Sequence, residues 1–127
     1  MRHKLDKRHI MTEKDMVILF EGFNEEFFDG KIQPPVKVRF VSEKDMRKIN
    51  PRESADATWR PHAHEIWIDK AYCRSESICC LLLLHEMAHA ALESTYVGHP
   101  GRHRGHGMIF QAELYRLIRA GAYDNLL

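Results

Sequence analysis

The sequence predicts an α+β domain in which a small antiparallel three-stranded sheet packs against one buried helix, with a second helix before it and a third after it. Three observations lead there. Apolar residues recur at helical spacing near both ends of the chain, short runs rich in β-formers occupy the middle, and Ile78 to Leu84 is apolar nearly all round. Such a helix must lie at the centre of a core. With 127 residues, 44% of them hydrophobic and 29% charged, the chain makes a single globular domain over residues 1–127.

Residues 1–11 read as a flexible basic terminus, since Arg2, Lys4, Lys7 and Arg8 face only Asp6. Thr12 then caps a helix whose stripe is Met16, Leu19, Phe20, Phe23 and Phe27, and Asp29-Gly30 with Pro34-Pro35 ends it near Phe28. Val36 to Val41 alternates apolar and basic residues, the mark of a strand with one buried face. Ser42 to Glu53 is polar and reads as a connection holding one turn of helix. Ala55 to Arg60 and His64 to Asp69, separated by Pro61-His62-Ala63, form a hairpin that leaves His62 and His64 exposed at its turn. Ser75 or Ser77 caps the central helix, which runs from about Glu76 to Glu93. Four glycines and a proline between Val97 and Gly107 forbid regular structure there, and a last helix follows with Phe110, Leu114, Leu117 and Ile118 on one face and Gly121 at its C-cap.

Composition excludes several classes of function. A net charge of +1 gives no global attraction to nucleic acid or membrane, so any basic surface is local. The N-terminus lacks the apolar stretch of a secretory signal, and the leucine run is too short to span a bilayer. Cys73, Cys79 and Cys80 form neither a disulfide framework nor a C-x-x-C pair, and Cys79 and Cys80 read as small core residues. These features place the chain in the cytoplasm.

The chemistry lies in His85-Glu86-Met87-Ala88-His89. Helical positions four apart differ by about 40° around the axis and about 6 Å along it, so both imidazoles project from one face and can bind one metal ion. Glu86, about 100° from His85, is no comfortable ligand but can reach a water on that metal. A catalytic zinc needs three protein ligands, and the candidates for the third are His99, His103, His106 and Glu93. A third His six residues past the second would fall at Thr95, which rules out the extended metzincin pattern. Glu93, one turn beyond His89, is too local to close a tetrahedral site and suits an outer position. Gly105 and Gly107 flank His106, where they would let the backbone bring its ring close to the motif helix.

Phe23 to Ile32 (F-N-E-E-F-F-D-G-K-I), Glu65-Ile66-Trp67-Ile68, Leu84 to Ala90 around the H-E-x-x-H, and His106-Gly107-Met108-Ile109-Phe110 together resemble the SprT-like family of zinc metallopeptidases, which includes the Spartan proteases. The resemblance implies a minimal zincin-like domain with one catalytic Zn2+. It also implies that the His of the H-G-x-x-F element is the third ligand, here His106 beside His85 and His89, and that Glu86 is the general base. Many members carry a C-terminal zinc ribbon or DNA-binding modules, whereas this sequence stops at Leu127 and reads as the catalytic domain.

The expected activity is endoproteolysis of protein or peptide substrates, DNA-associated proteins among them. Zinc would activate the water and polarise the carbonyl, and an extended substrate would pair with the sheet edge at His64 to Asp69. Tyr96, His99, His103 and Tyr115 are the candidates for stabilising the oxyanion. The alternative is a nucleic-acid-binding protein with a structural zinc, a fourth ligand from His103 or His99, and phosphate contacts from Arg2 to Arg8 and Arg102 to Arg104.

Overall fold

The computed structural model describes residues 9–49, 55–95 and 106–126. Its axis is helix α3 (Glu76–Thr95), twenty residues or about 30 Å long. Ser75 caps it, its hydroxyl accepting from the Ile78 N–H at 3.2 Å. Cys79, Cys80, Leu83, Leu84, Met87, Ala88 and Ala91 are all buried along it. Three neighbours cover this surface: the sheet, helix α1 (Glu13–Phe28) and helix α4 (Met108–Arg119).

Helix α1 begins on a capping box in which Thr12 Oγ1 accepts from the Asp15 N–H at 3.1 Å and Asp15 accepts from the Thr12 N–H at 2.9 Å. Met16, Phe20, Phe23 and Phe28 are buried from it, with Leu19 and Phe27 packed at the margin. Its end is fastened by Asn24, a buried amide that donates to the Ile32 carbonyl and accepts from the Ile32 N–H, at 2.9 and 3.2 Å. The chain is placed from His9 onward: Met11 is buried and its N–H reaches the Cys73 carbonyl at 2.7 Å. Met11 is thus anchored, Ile10 is exposed, and residues 1–8 lie outside the described residues.

The sheet contains β1 (Lys37–Val41), β2 (Ala57–Arg60) and β3 (Glu65–Asp69) in the order β1-β3-β2. It is mixed, which corrects the expectation of an antiparallel sheet. β2 and β3 form the predicted antiparallel hairpin, but β1 runs parallel to β3, with Lys37 opposite Glu65 and Val41 opposite Asp69. The reason is the long connection after β1: it carries the chain past the central position, so the hairpin returns β3 alongside β1. Part of that connection is helix α2 (Glu43–Ile49), two turns rather than one, capped by Ser42 and laced by Arg47 to Glu43 at 2.7 Å. Met46 and Val41 are buried outside the main core, where α2 lies against the sheet.

At the hairpin turn His64 adopts φ 57° and its Nδ1 lies 2.8 Å from the Pro35 carbonyl, while His62 is exposed. Helix α4 buries Phe110 and Leu117, but Ile118 is 55% exposed. Ile118 sits about 80° from Phe110 around the axis, beyond the stripe that faces the core. A Schellman motif ends the helix: Gly121 at φ 88° donates to the Ile118 carbonyl, and Ala122 to that of Leu117. Gly121 thus follows the cap residue, Ala120. Among the described residues no helix is long and apolar enough to cross a membrane.

Candidate metal centre

His85 and His89 leave α3 on one side, half-buried, with ring centroids 5.3 Å apart. His106 closes the triangle from just ahead of α4, its ring 5.0 Å from that of His85 and 5.3 Å from that of His89. One nitrogen from each ring lies within 4.8 Å of the others, and the Nε2 atoms of His85 and His106 face each other at 3.0 Å. Three imidazoles on a tetrahedral zinc, with bonds of about 2.0–2.1 Å, hold their nitrogens about 3.4 Å apart. That spacing lies between the 3.0 Å of the His85–His106 pair and the 4.8 Å that bounds the set, so small side-chain adjustments suffice to accept an ion of that size. Burial, and then the neighbouring His106, lower the pKa of His85, which favours the neutral ring that a metal requires.

His106 is held by its own helix. The Gln111 side-chain amide donates to the His106 carbonyl at 3.2 Å, and Phe110 places its ring 4.9 Å from the imidazole. Gly107 behaves differently from the sequence expectation. Its φ of −73° is ordinary, and a Cβ there would meet nothing within 4 Å, so close approach of the backbone does not require glycine at this position. Gly107→Ala should leave metal stoichiometry unchanged and cost about 1 kcal/mol as a change of N-cap, as a thermal melt would show.

Glu86 reaches from α3 towards the outer strand β2 while staying beside His85. It is 6% exposed and its Oε2 is 4.0 Å from His85 Nε2. Burial pushes its pKa up to about 7, against the opposing pull of the Trp59 backbone N–H, which donates to the carboxylate. Strand register explains that donor. The Asp69 N–H bonds the Asp56 carbonyl, so Asp56, Thr58 and Arg60 turn their backbone groups towards β3 while Ala57 and Trp59 turn theirs outward. The outward N–H of Trp59 meets Glu86.

A model of the SprT-like family matches residues 17–124. The chain belongs to the SprT-like family. No curated protein and no solved structure matches it. Membership marks this SprT-like chain as a metallopeptidase-like domain, and its four predicted centre residues, His85, Glu86, His89 and His106, come together. Glu93 is half-buried one turn beyond His89. Tyr115 is not brought in: it lies two turns along α4, 62% exposed, with the Arg119 guanidinium 5.7 Å from its ring. Tyr96, His99 and His103 lie outside the described residues.

The family motifs did not reveal two further contributors. Trp59 acts through its backbone, which leaves no trace in residue type. Gln111 reads as an ordinary helical residue, and only its distance from His106 gives it a role. Cys79 is fully buried and its thiol is pushed up to about 12 by that burial, which leaves it unsuited to nucleophilic work.

Proposed function

We propose that this SprT-like domain is a zinc-dependent endopeptidase, with His85, His89 and His106 as ligands and Glu86 as general base. The observation that carries this reading is the convergence of three imidazole nitrogens within 4.8 Å beside a carboxyl group buried at 6% exposure. Held there, zinc would supply Lewis acidity to the scissile carbonyl and to the attacking water. Glu86 takes the proton of that water and passes it to the departing amine, and a pKa near 7 suits both transfers at neutral pH. The Trp59 N–H keeps the carboxylate turned to one side through the cycle.

The substrate edge expected at His64 to Asp69 is not available, because β3 is the central strand. β2 is the outer strand beside the motif helix, and the outward N–H and C=O of Ala57 and the C=O of Trp59 are the groups an extended chain would pair with. A structural zinc in a nucleic-acid-binding protein would gain nothing from a buried carboxyl beside its ligands, so Glu86 favours the protease. The test is Glu86→Gln on a disordered protein substrate. Zinc content should persist while cleavage falls by about 10²–10⁴-fold, and undiminished proteolysis would overturn the assignment.

A further inference from the structure

The three imidazoles share a single wall. Phe110, 1% exposed, stacks on His89 with centroids 4.1 Å apart and planes 18° from parallel. The same ring lies 4.9 Å from His85 at 57° and 4.9 Å from His106 at 47°. Metal-bound histidines are ordinarily oriented by a hydrogen bond from the second ring nitrogen to a carboxylate or carbonyl. Among the described residues no hydrogen bond reaches Nδ1 of His85 or of His106, whose Nε2 atoms face only each other and, for His85, the Glu86 carboxylate at 4.0 Å. Rotation about the Cβ–Cγ bond would swing either nitrogen out of the cluster, and the surface standing against that rotation is the phenyl ring. Phe110 is itself fixed from behind as part of the main core. Its ring therefore transmits the rigidity of the core to three side chains, one of them on an exposed residue outside any helix.

We propose that Phe110 is a positioning residue of the metal centre, an aromatic platform that stacks on His89 and orients His85 and His106 in place of the usual hydrogen bonds. The proposal rests on the metal-site reading above and adds to it the device that holds the rings. A core residue and a platform differ in what their loss does. Losing a core residue lowers stability but leaves the metal affinity of the folded molecules alone. Losing the platform lets the rings rotate, so coordination must pay to freeze them and affinity falls even where the fold survives.

The experiment uses the full chain with Phe110→Leu and Phe110→Met, which keep apolar bulk without a planar face, and Phe110→Tyr, which keeps the ring. Folding is checked by thermal melts in chelator. Zn2+ affinity is then measured by competition with a chromophoric chelator, and coordination geometry by the visible absorption of the Co2+-substituted protein. The platform predicts about tenfold or greater loss of Zn2+ affinity in the Leu and Met variants, a changed cobalt spectrum, and recovery to within about threefold in the Tyr variant. A folded Leu or Met variant that binds Zn2+ within about twofold of the parent, with the parent's cobalt spectrum, would overturn it. His106→Ala separates the two levels. If that variant keeps full affinity, or if the parent binds no Zn2+, the three-histidine site itself falls and the platform falls with it.

Discussion

The two edges of the sheet are closed in the same way and to different effect. On β1 the outward N–H of Phe40 is taken by the Glu13 carboxylate at 3.0 Å, and on β2 the outward N–H of Trp59 is taken by Glu86. Each is a glutamate reaching from a helix to an unpaired strand donor, which protects an edge that would otherwise template further pairing. Glu13 is exposed at the start of α1, with water to solvate its charge. Glu86 is nearly sealed within α3, and its proton is held until about pH 7. A carboxylate on a strand donor is thus a fastener in water. Moved into the core beside three imidazoles, it becomes a group poised to exchange protons.

The comparison breaks first in turnover. Glu86→Gln should cost about 10²–10⁴-fold in cleavage with zinc retained, whereas Glu13→Gln should stay within about twofold in a parallel assay. The next effect is on stability. The folded carboxyl of Glu86 binds its proton more tightly than the unfolded one, about 7 against an ordinary 4.5. Metal-free protein should therefore lose stability as the pH rises from about 4.5 through 7, the window in which the folded state holds the extra proton. Above that window Glu86→Gln should be the more stable form in chelator by up to about 3 kcal/mol, and the advantage should vanish near pH 4; denaturant melts across pH would check both. Glu13→Gln should show no more than about 1 kcal/mol at any pH.

Smaller again is the donor itself. Trp59→Pro deletes the N–H that holds Glu86 and should lower cleavage by about tenfold, with zinc content intact by metal analysis. Trp59→Phe keeps the backbone donor and removes an indole Nε1 that is buried without a hydrogen-bond partner. It should leave turnover unchanged and shift stability by no more than about 1 kcal/mol, so the pair of variants separates backbone from side chain.

Most of the fold was legible because its elements announce themselves locally. Thr12 caps α1 as expected, Ser75 rather than Ser77 caps α3, the stripe from Met16 to Phe27 runs along α1, and alternation marks β1. What escaped has no local mark. α2 buries a single residue, Met46, among seven of mixed charge, too thin a stripe to register as two turns. The side-chain alternation of β1 states which face is wet but not which strand lies beside it, so the parallel pairing with β3 was missed. At the centre, the spacing of His85 and His89 is itself geometry, whereas His106 needed the family resemblance because it arrives across a loop. Phe110 read correctly as core, and its contact with all three rings could not be seen until α4 had an orientation.

The shortness of β2 carries a last consequence. Four residues give about 13 Å of edge, and with the Trp59 N–H already committed to Glu86 only a few main-chain groups remain for a visitor. A polypeptide paired there, as proposed, would be gripped weakly and by its peptide bonds, so side-chain identity would count for little beside the local slack needed to lie flat against the strand. Selection at such an edge would work on the physical state of the visiting chain: a loosened or unfolded stretch could lie along it, and a tightly folded surface could not.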